Sequence, residues 1–523
     1  MRFVLRSMLV VVITLGMVAV AKGLTTSSGD YLSGVRLTEE EQERAQKRES
    51  KYLPKGEVTY SPLFVGWPKP EVTLFISGRQ KGYIEPCGCT GLANQKGGLS
   101  RRFTFYNELK EKGWDPLAID VGNQVKRVGR QADIKSQMTF EALRKMDYAA
   151  IAFGPNDLTS SIGEILALAA EENNNLVSAD LDLFELVPQY RIVTSGGKKI
   201  GITAILGEQY HDALQYDEIV KTDPQKAIDR VLPKLLAEKC DQLVLLAHTT
   251  VEDSKKLARA NPQFSIIVNA GGHGEPSHLA EIVEGTNTRL VQVGAKGMYV
   301  GVVGIFDDER EPIRFQKVPL DARFVDSPEM LANLKDYQNQ LQQLGLEGLG
   351  IKPLPHPSGR KFIGSEACGD CHVTEYDIWS KTPHSHALDS LVNPGERSEI
   401  PRHFDPECLS CHVTGWDPQG YFPYESGYLS LGESPDLFQN GCENCHGPGD
   451  LHVAMELGEI EATDEELFAI RAEMVVGISE ARQTCLSCHD LDNSPDFHKP
   501  NAFEAYWEKI KHGKGTQPEA QSR

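Results

Sequence analysis

"NGCENCHGPGDLH", residues 440–452, sets Cys442, Cys445 and His446 in a Cys-x-x-Cys-His pentad. The same pentad recurs at Cys368-Gly-Asp-Cys371-His372, Cys408-Leu-Ser-Cys411-His412 and Cys485-Leu-Ser-Cys488-His489. From 11 cysteines and 15 histidines in 523 residues, chance would supply roughly 0.007 such pentads. Four copies therefore mark a built feature, and their chemistry decides how the last third of the chain folds.

Three fillings compete. A disulfide framework needs no histidine. A zinc site uses paired cysteines with an occasional histidine, but does not require one directly after every second cysteine. A haem requires all three residues. Its two vinyl groups take thiols one short helical turn apart, and the next histidine then faces the iron from the same side. The pentads thus predict four covalently bound haem c groups. Cys368, Cys371, Cys408, Cys411, Cys442, Cys445, Cys485 and Cys488 are the attachment points, with His372, His412, His446 and His489 as proximal ligands. Candidates for the opposite axial position are His384, His386, His403, His452 and His512, with His498 a further spare histidine. An iron without a sixth ligand would be open to small molecules.

Working outward, residues 360–523 hold few large apolar runs, so haem has to supply much of the buried apolar area. Residues 71–325 read differently. The runs EVTLFIS, PLAIDVG, YAAIAFG, NNLVSAD, KIGITAIL, DQLVLLAH and SIIVNAGG resemble buried strands, and helical stretches such as Leu99 to Lys112 and Pro224 to Lys239 separate them. That alternation predicts a layered α/β domain. Between the two regions, 326–359 comprise a helix capped by Ser327 with Pro328 at its first position, then the Pro/Gly linker GIKPLPHPSGR. Cys240, between a helix and a strand, reads as an inert buried thiol.

The first 21 residues read as a secretory signal peptide. Arg2 and Arg6 precede the apolar run Met8 to Val20, and Ala19-Val20-Ala21 is a small-residue cleavage site. Residues 22–70 form a linker. The mature chain is expected in the periplasm or otherwise exported, with no transmembrane segment after cleavage. A formal net charge of -20 excludes nucleic acid as a partner and favours a basic or neutral docking protein.

The runs YDIWSKTPHSHALDSL, FDPECLSCHVTGW, NGCENCHGPGDLH, CLSCHD and YWEKIKHG resemble the tetrahaem cytochromes c of the nitrifier type over about 360–515. The namesake of that family accepts electrons from hydroxylamine oxidoreductase. The resemblance implies a mostly helical domain with haems in stacked pairs. It matches His384 or His386, His452 and His512 to distal ligands, and His403 more weakly.

Residues 71–306 resemble the calcineurin-like phosphoesterase domain of secreted 5′-nucleotidases, through KGGLSRRFTFYNELKEKG, LAIDVGN, IAFGPNDL, LVLLAHTT and IVNAGGHGEP. That family holds two cations on Asp, His and Asn side chains. Here its Asp-x-His at the end of the first strand is replaced by ISGRQ, its bridging Asp is Asn123, and its Gly-Asn-His-Glu is Gly154-Pro155-Asn156-Asp157. His248 and His273 persist, and Glu275 stands where a second histidine would be. The resemblance thus implies a degenerate domain whose dinuclear metal site is lost.

Cys87 and Cys89, in YIEPCGCTGL, follow the first strand. They could close a strained, easily reduced disulfide, bind a soft metal together with His248 and His273, or serve no redox role. Related sequences with this domain and a C-x-C form a group in which selenocysteine occurs at that place, and that likeness implies redox chemistry. The expected function is electron transfer by a tetrahaem cytochrome with a redox partner protein, another cytochrome or a periplasmic oxidoreductase. The alternatives are an oxidoreductase in which Cys87 and Cys89 work with the haems as relay, and a phosphoesterase with an appended cytochrome.

Overall fold

The computed structural model describes residues 60–86, 95–171, 174–272, 274–395 and 398–512. The expected signal peptide, most of the 22–70 linker, Cys87, Cys89 and His273 lie outside them.

Two sheets stack in the first half of the chain. One runs Ile313–Pro319, Tyr299–Ile305, Val72–Ser77, Pro116–Asp120, Ala150–Ile151. Val72–Ser77 lies at its centre, parallel to Pro116–Asp120 and antiparallel to Tyr299–Ile305. The other runs Glu281–Ile282, Arg289–Gln292, Ile266–Asn269, Gln242–His248, Lys198–Leu206, Tyr190–Ser195, with parallel pairing through its middle.

Side-chain alternation explains the layering. Val72, Leu74 and Ile76 point between the sheets and pack with Ile200, Ile202, Val244, Leu246 and Val268. Phe75 points the other way, into a cluster with Leu99, Phe105, Tyr106 and Leu109 of helix Leu99–Glu111. Helices Pro224–Ala237 and Val251–Ala260 cover the far side of the second sheet. Each large apolar side chain buried here stabilises the fold by about 1.5–3 kcal/mol. The order is helix, sheet, sheet, helix, the α/β architecture expected.

Two strand expectations need correction. YAAIAFG yields only Ala150–Ile151, and NNLVSAD yields a single bridge from Leu176 to Ile151. Ser178 and Asp180 divert the local backbone bonding, accepting from Leu181 N at 3.2 Å and Leu206 N at 2.9 Å. Cys240 is half-buried rather than buried, since it sits in the turn before Gln242–His248.

Helix Pro328–Gly348 begins as the sequence predicts, with Ser327 Oγ accepting from Met330 N. It is no mere spacer. Leu334, Tyr337 and Leu341 pack with Ile134 and Met138 of helix Arg130–Lys145, and with Ile400 from the C-terminal half.

Beyond residue 360 the chain is mostly short helices, from four residues at Glu443–His446 to 11 at Ile478–Cys488. The strands among the described residues there are Trp416–Asp417 and Phe422–Pro423. A small core of Leu388, Leu391, Leu409, Val413, Trp416, Tyr428 and Leu437 ties the second pentad to its surroundings. Among the described residues no helix is long and apolar enough to cross a membrane.

Candidate haem sites and the adjoining cleft

Each pentad folds as one helical turn. The histidine N–H donates to the carbonyl of the first cysteine in three of them: His372 to Cys368 at 2.9 Å, His446 to Cys442 at 3.0 Å and His489 to Cys485 at 2.8 Å. The fourth, Cys408 to His412, lies wholly within helix Pro406–His412, whose N-cap Asp405 accepts from Glu407 N. None of the eight pentad cysteines forms a disulfide.

The ring nitrogens are sorted in the way a metal needs. Nδ1 of His412 lies 2.6 Å from Ala387 O, Nδ1 of His446 lies 2.6 Å from Met474 O, and Nδ1 of His489 lies 3.1 Å from Ser494 Oγ. A donor bond at Nδ1 leaves Nε2 with the lone pair for a metal. Burial lowers the pKa of His384, His446 and His452, and pushes His489 down to about 4. Neutral imidazole is the form that ligates.

Three histidine pairs face one another across distances that suit a shared metal. His372 and His452 have ring centres 6.3 Å apart, His384 and His489 6.2 Å, and His446 and His512 5.7 Å. Two imidazoles bound to opposite sides of one metal, each through a nitrogen about 2 Å away, hold their centres about 6 Å apart. The residues therefore fit haem. Zinc has no comparable arrangement: among the described residues no group of three or more His, Cys, Asp or Glu could hold a metal ion.

The structure also separates the remaining histidines. His386 is exposed and pairs with Asp389 at 3.4 Å, so of the two in TPHSHA it is His384 that meets a pentad. His498 Nε2 contacts the His489 carbonyl O at 2.9 Å. His403 packs at a tilt of 44° against its neighbour Phe404, with a buried Nδ1 lacking a hydrogen bond.

Sulfur contacts order the pentads. Cys368 and Cys442 hydrogen-bond to one another, which pushes the first thiol up and holds the second down to about 7. Cys411 and Cys488 do the same, Cys411 raised and Cys488 lowered. The first pentad thus adjoins the third, and the second adjoins the fourth.

In the α/β half, the loops after Val72–Ser77, Pro116–Asp120 and Ala150–Ile151 meet. Gly122, at φ 85°, lets two of them touch, since a Cβ there would stand 2.4 Å from Gly154 N. The half-buried Asp157 accepts from Gly154 N, Asn123 N and Gln124 N at 2.9, 2.6 and 2.5 Å, and desolvation raises it to about 6. Asn123 Oδ1 accepts from Asn156 N at 2.9 Å. Ser77 hydrogen-bonds Asp120 at 2.5 Å and Tyr148 at 2.7 Å, beside the fully buried Arg102. His248 Nδ1 contacts Val121 O at 2.9 Å, and burial pushes its pKa down to about 4. Glu275 is engaged by Lys317 at 2.7 Å. Asp120 and Arg102 were not singled out by the sequence. A charged residue at the end of an apolar run, as in PLAID, was the available signal.

The haem half lies against these loops. Asp492, just past the last pentad, meets Lys296 at 2.5 Å, Lys126 at 3.1 Å and Tyr83 OH at 3.3 Å. The fully buried Arg402 forms a two-pronged pair with Glu85. Lys135 and Arg127 reach Glu407 at 2.7 and 3.0 Å, and Gln131 and Tyr337 reach Asp405 at 2.7 and 3.2 Å. Nothing in local sequence pattern pointed to this interface.

Comparison with known proteins agrees with both halves. Residues 367–447 match the family described as cytochrome c554 and c-prime. Cytochrome c-554 of Nitrosomonas europaea is 33% identical over 97 residues, 17% of this chain and 39% of that one. Apyrase of Aedes aegypti is 23% identical over 297 residues, 50% of this chain and 53% of the apyrase. The chain therefore spans about half the length of that relative. The 5′-nucleotidase precursor of Thermus thermophilus superposes with a TM-score of 0.45 at 19% identity, covering 52% of this chain and 59% of that one. The chain joins a C-terminal segment similar to cytochrome c554 to an N-terminal α/β domain similar in sequence to apyrases and 5′-nucleotidases.

Proposed function

We propose that this protein is an exported electron carrier with four haem c groups. Cys368/Cys371, Cys408/Cys411, Cys442/Cys445 and Cys485/Cys488 attach them, and His372, His412, His446 and His489 hold the irons from one side. His452, His512 and His384 hold three of them from the other. The observation that carries the reading is the three facing imidazole pairs at 5.7–6.3 Å, each uniting a pentad histidine with one far away in sequence. Haem bound there supplies one-electron chemistry. The residues hold the imidazoles in place, and burial favours the neutral form of His384, His446, His452 and His489. The thiols that touch, Cys368 with Cys442 and Cys411 with Cys488, would be thioethers in the loaded protein, and their adjacency supports haems close enough to exchange electrons in pairs. The partner is another redox protein, and export follows from the charged and apolar N-terminal run.

The α/β domain, on this reading, has lost dinuclear phosphoesterase chemistry. Ser77, Asn123, Pro155 and Asn156 stand where ligands would be needed, and the Asp157 carboxylate is taken up by backbone N–H groups. The test has two arms. Mass spectrometry of protein matured in a haem-attaching host should count four haems, with spectra dominated by low-spin iron. Nucleotide hydrolysis with added divalent cations should be absent. Fewer haems, or clear hydrolysis, would refute the corresponding half.

A second reading is supported by one observation. Tyr83 and Glu85, just before Cys87 and Cys89, are bonded to Asp492 and Arg402 of the haem half. A dithiol reached from that flank could pass electrons to a haem. Replacing Cys87 and Cys89 by Ser should slow haem reduction by a dithiol substrate if that reading holds, and leave it unchanged if electron carriage alone is the function.

A further inference from the structure

Resting on the electron-carrier reading above, we propose that the outward faces of helices Asp450–Glu456 and Asp464–Glu473, with the loop between them, form a docking surface. Its occupant is a basic electron-transfer protein that carries lysines or arginines round an apolar cofactor edge.

The α/β half crowds one pair of pentads. The ion pairs that join the halves cluster at Arg402, Glu407 and Asp492, which meet Glu85, Lys135 with Arg127, and Lys296 with Lys126. Glu407 directly precedes Cys408, and Asp492 lies three residues past His489, so these contacts fall at the second and fourth pentads. The proposed helices back the first and third instead. His446 Nδ1 lies 2.6 Å from Met474 O, just past the second helix, and His452 Nδ1 lies 3.7 Å from Glu456 Oε1. Both contacts are at Nδ1, which leaves Nε2 to the metal and sets this surface behind the rings. Among the described residues no ion pair ties these two helices to the α/β half.

Helical geometry makes the surface apolar at its centre. Ile470 is buried, and Phe468, two positions back and about 200° round the helix, turns to solvent. Phe468 shares a face with Arg471, three positions on, and Arg471 forms a two-pronged pair with Glu456 at 2.6 and 2.7 Å. Leu457 follows Glu456 directly, so that pair brings Leu457 and Phe468 to one surface. Leu457, Phe468 and Val475 are 64%, 67% and 70% exposed. Large apolar side chains gathered in solvent and rimmed by polar ones mark an interaction site. The rim here is acidic. Residues 456–480 hold eight acidic residues and one basic, Arg471. Arg471 engages Glu456, and Arg360 engages Glu473. Glu459, Glu461 and Glu465 are exposed and have no ion pair among the described residues. A cationic rim complements that charge, and the long-range attraction speeds encounter. Each encounter moves one electron between an iron on this chain and the partner's cofactor. One is oxidised and the other reduced, with no bond made or broken.

The test uses the full haem-loaded chain, reduced with dithionite and freed of excess reductant. It is mixed in stopped flow with a ferric monohaem cytochrome c of the basic mitochondrial type, and separately with the same probe after its lysines are succinylated. The rate constant with the basic probe should fall steeply as sodium chloride rises, and succinylation should lower it about tenfold or more at low salt. Glu459→Gln/Glu461→Gln/Glu465→Gln should slow the reaction about fivefold and Leu457→Ser/Phe468→Ser about threefold, with haem spectra unchanged. Removing three carboxylates from the α/β half, in Asp212→Asn/Asp217→Asn/Glu218→Gln, should leave the rate within about twofold of wild type. Equal slowing by both triple variants would trace the effect to net charge and overturn the proposal. So would an unchanged rate in either variant of the surface. These outcomes leave electron carriage standing, whereas a chain that matures without haem would overturn that reading and the proposal with it.

Discussion

His384 and His489 face one another with ring centres 6.2 Å apart, although one lies in the 3-10 turn Pro383–His386 and the other ends helix Ile478–Cys488. Neither element would hold that geometry alone. On the proposed reading the pairing would make His384 the axial partner of the last pentad, and it leaves His386 in solvent beside Asp389. Replacing His384 by Ala should convert one haem from low to high spin, seen in the Soret band and by electron paramagnetic resonance. Replacing His386 by Ala should leave both signals untouched. The opposite pattern would reassign the ligand.

Arg402 is buried and paired with the partly buried Glu85 across the two halves. Removing one partner of a buried ion pair strands the other in low dielectric. Arg402→Ala is therefore expected to cost about 3 kcal/mol, measured by denaturant unfolding of the haem-loaded protein. Arg402→Lys should recover only part of this, because a single ammonium cannot satisfy both carboxylate oxygens. An Ala variant as stable as wild type would mean that the contact contributes nothing.

Acid should weaken the α/β domain through His248. Its folded pKa is pushed down to about 4 by burial, below the ordinary 6.5. The unfolded chain therefore takes up a proton first as pH falls. The contribution is full above about pH 6.5, declines below it, and is lost by about pH 4, amounting to about 3 kcal/mol. His248→Asn, which keeps a donor for Val121 O, should flatten the difference in unfolding free energy between pH 7 and pH 4.5. An unchanged pH slope would show that the imidazole titrates normally.

Haem should be a folding partner for the C-terminal half only. The α/β half has three extensive apolar clusters. The C-terminal half has small ones, one of them Ala481, Phe497 and Phe503. Expressed without haem attachment, the protein should yield to limited proteolysis a resistant fragment ending near the 350–360 linker, with the remainder digested. Protection of both halves would contradict this.

Some of these features are local and could be read directly. A pentad closes within one helical turn, so its five letters specify its geometry, and Ser327 with Pro328 announced a helix start for the same reason. Runs such as DQLVLLAH carry enough apolar residues for a buried strand whatever surrounds them. YAAIAFG and NNLVSAD misled because side chains take the place of ladder partners at their ends: Asp157 accepts from Gly154 N, Ser178 from Leu181 N and Asp180 from Leu206 N.

The letters alone predicted which residues would attach haem and where the expected phosphoesterase ligands are replaced, and they showed which half is layered α/β, because each depends on chemistry within a few consecutive positions. Packing alone settled that His384 rather than His386 meets a pentad, that the thiols of the first and third pentads touch, and that Asp492 lies among Lys126 and Lys296. Those are contacts between segments far apart in the chain. Their distances follow from how whole layers stack, which no local spacing encodes.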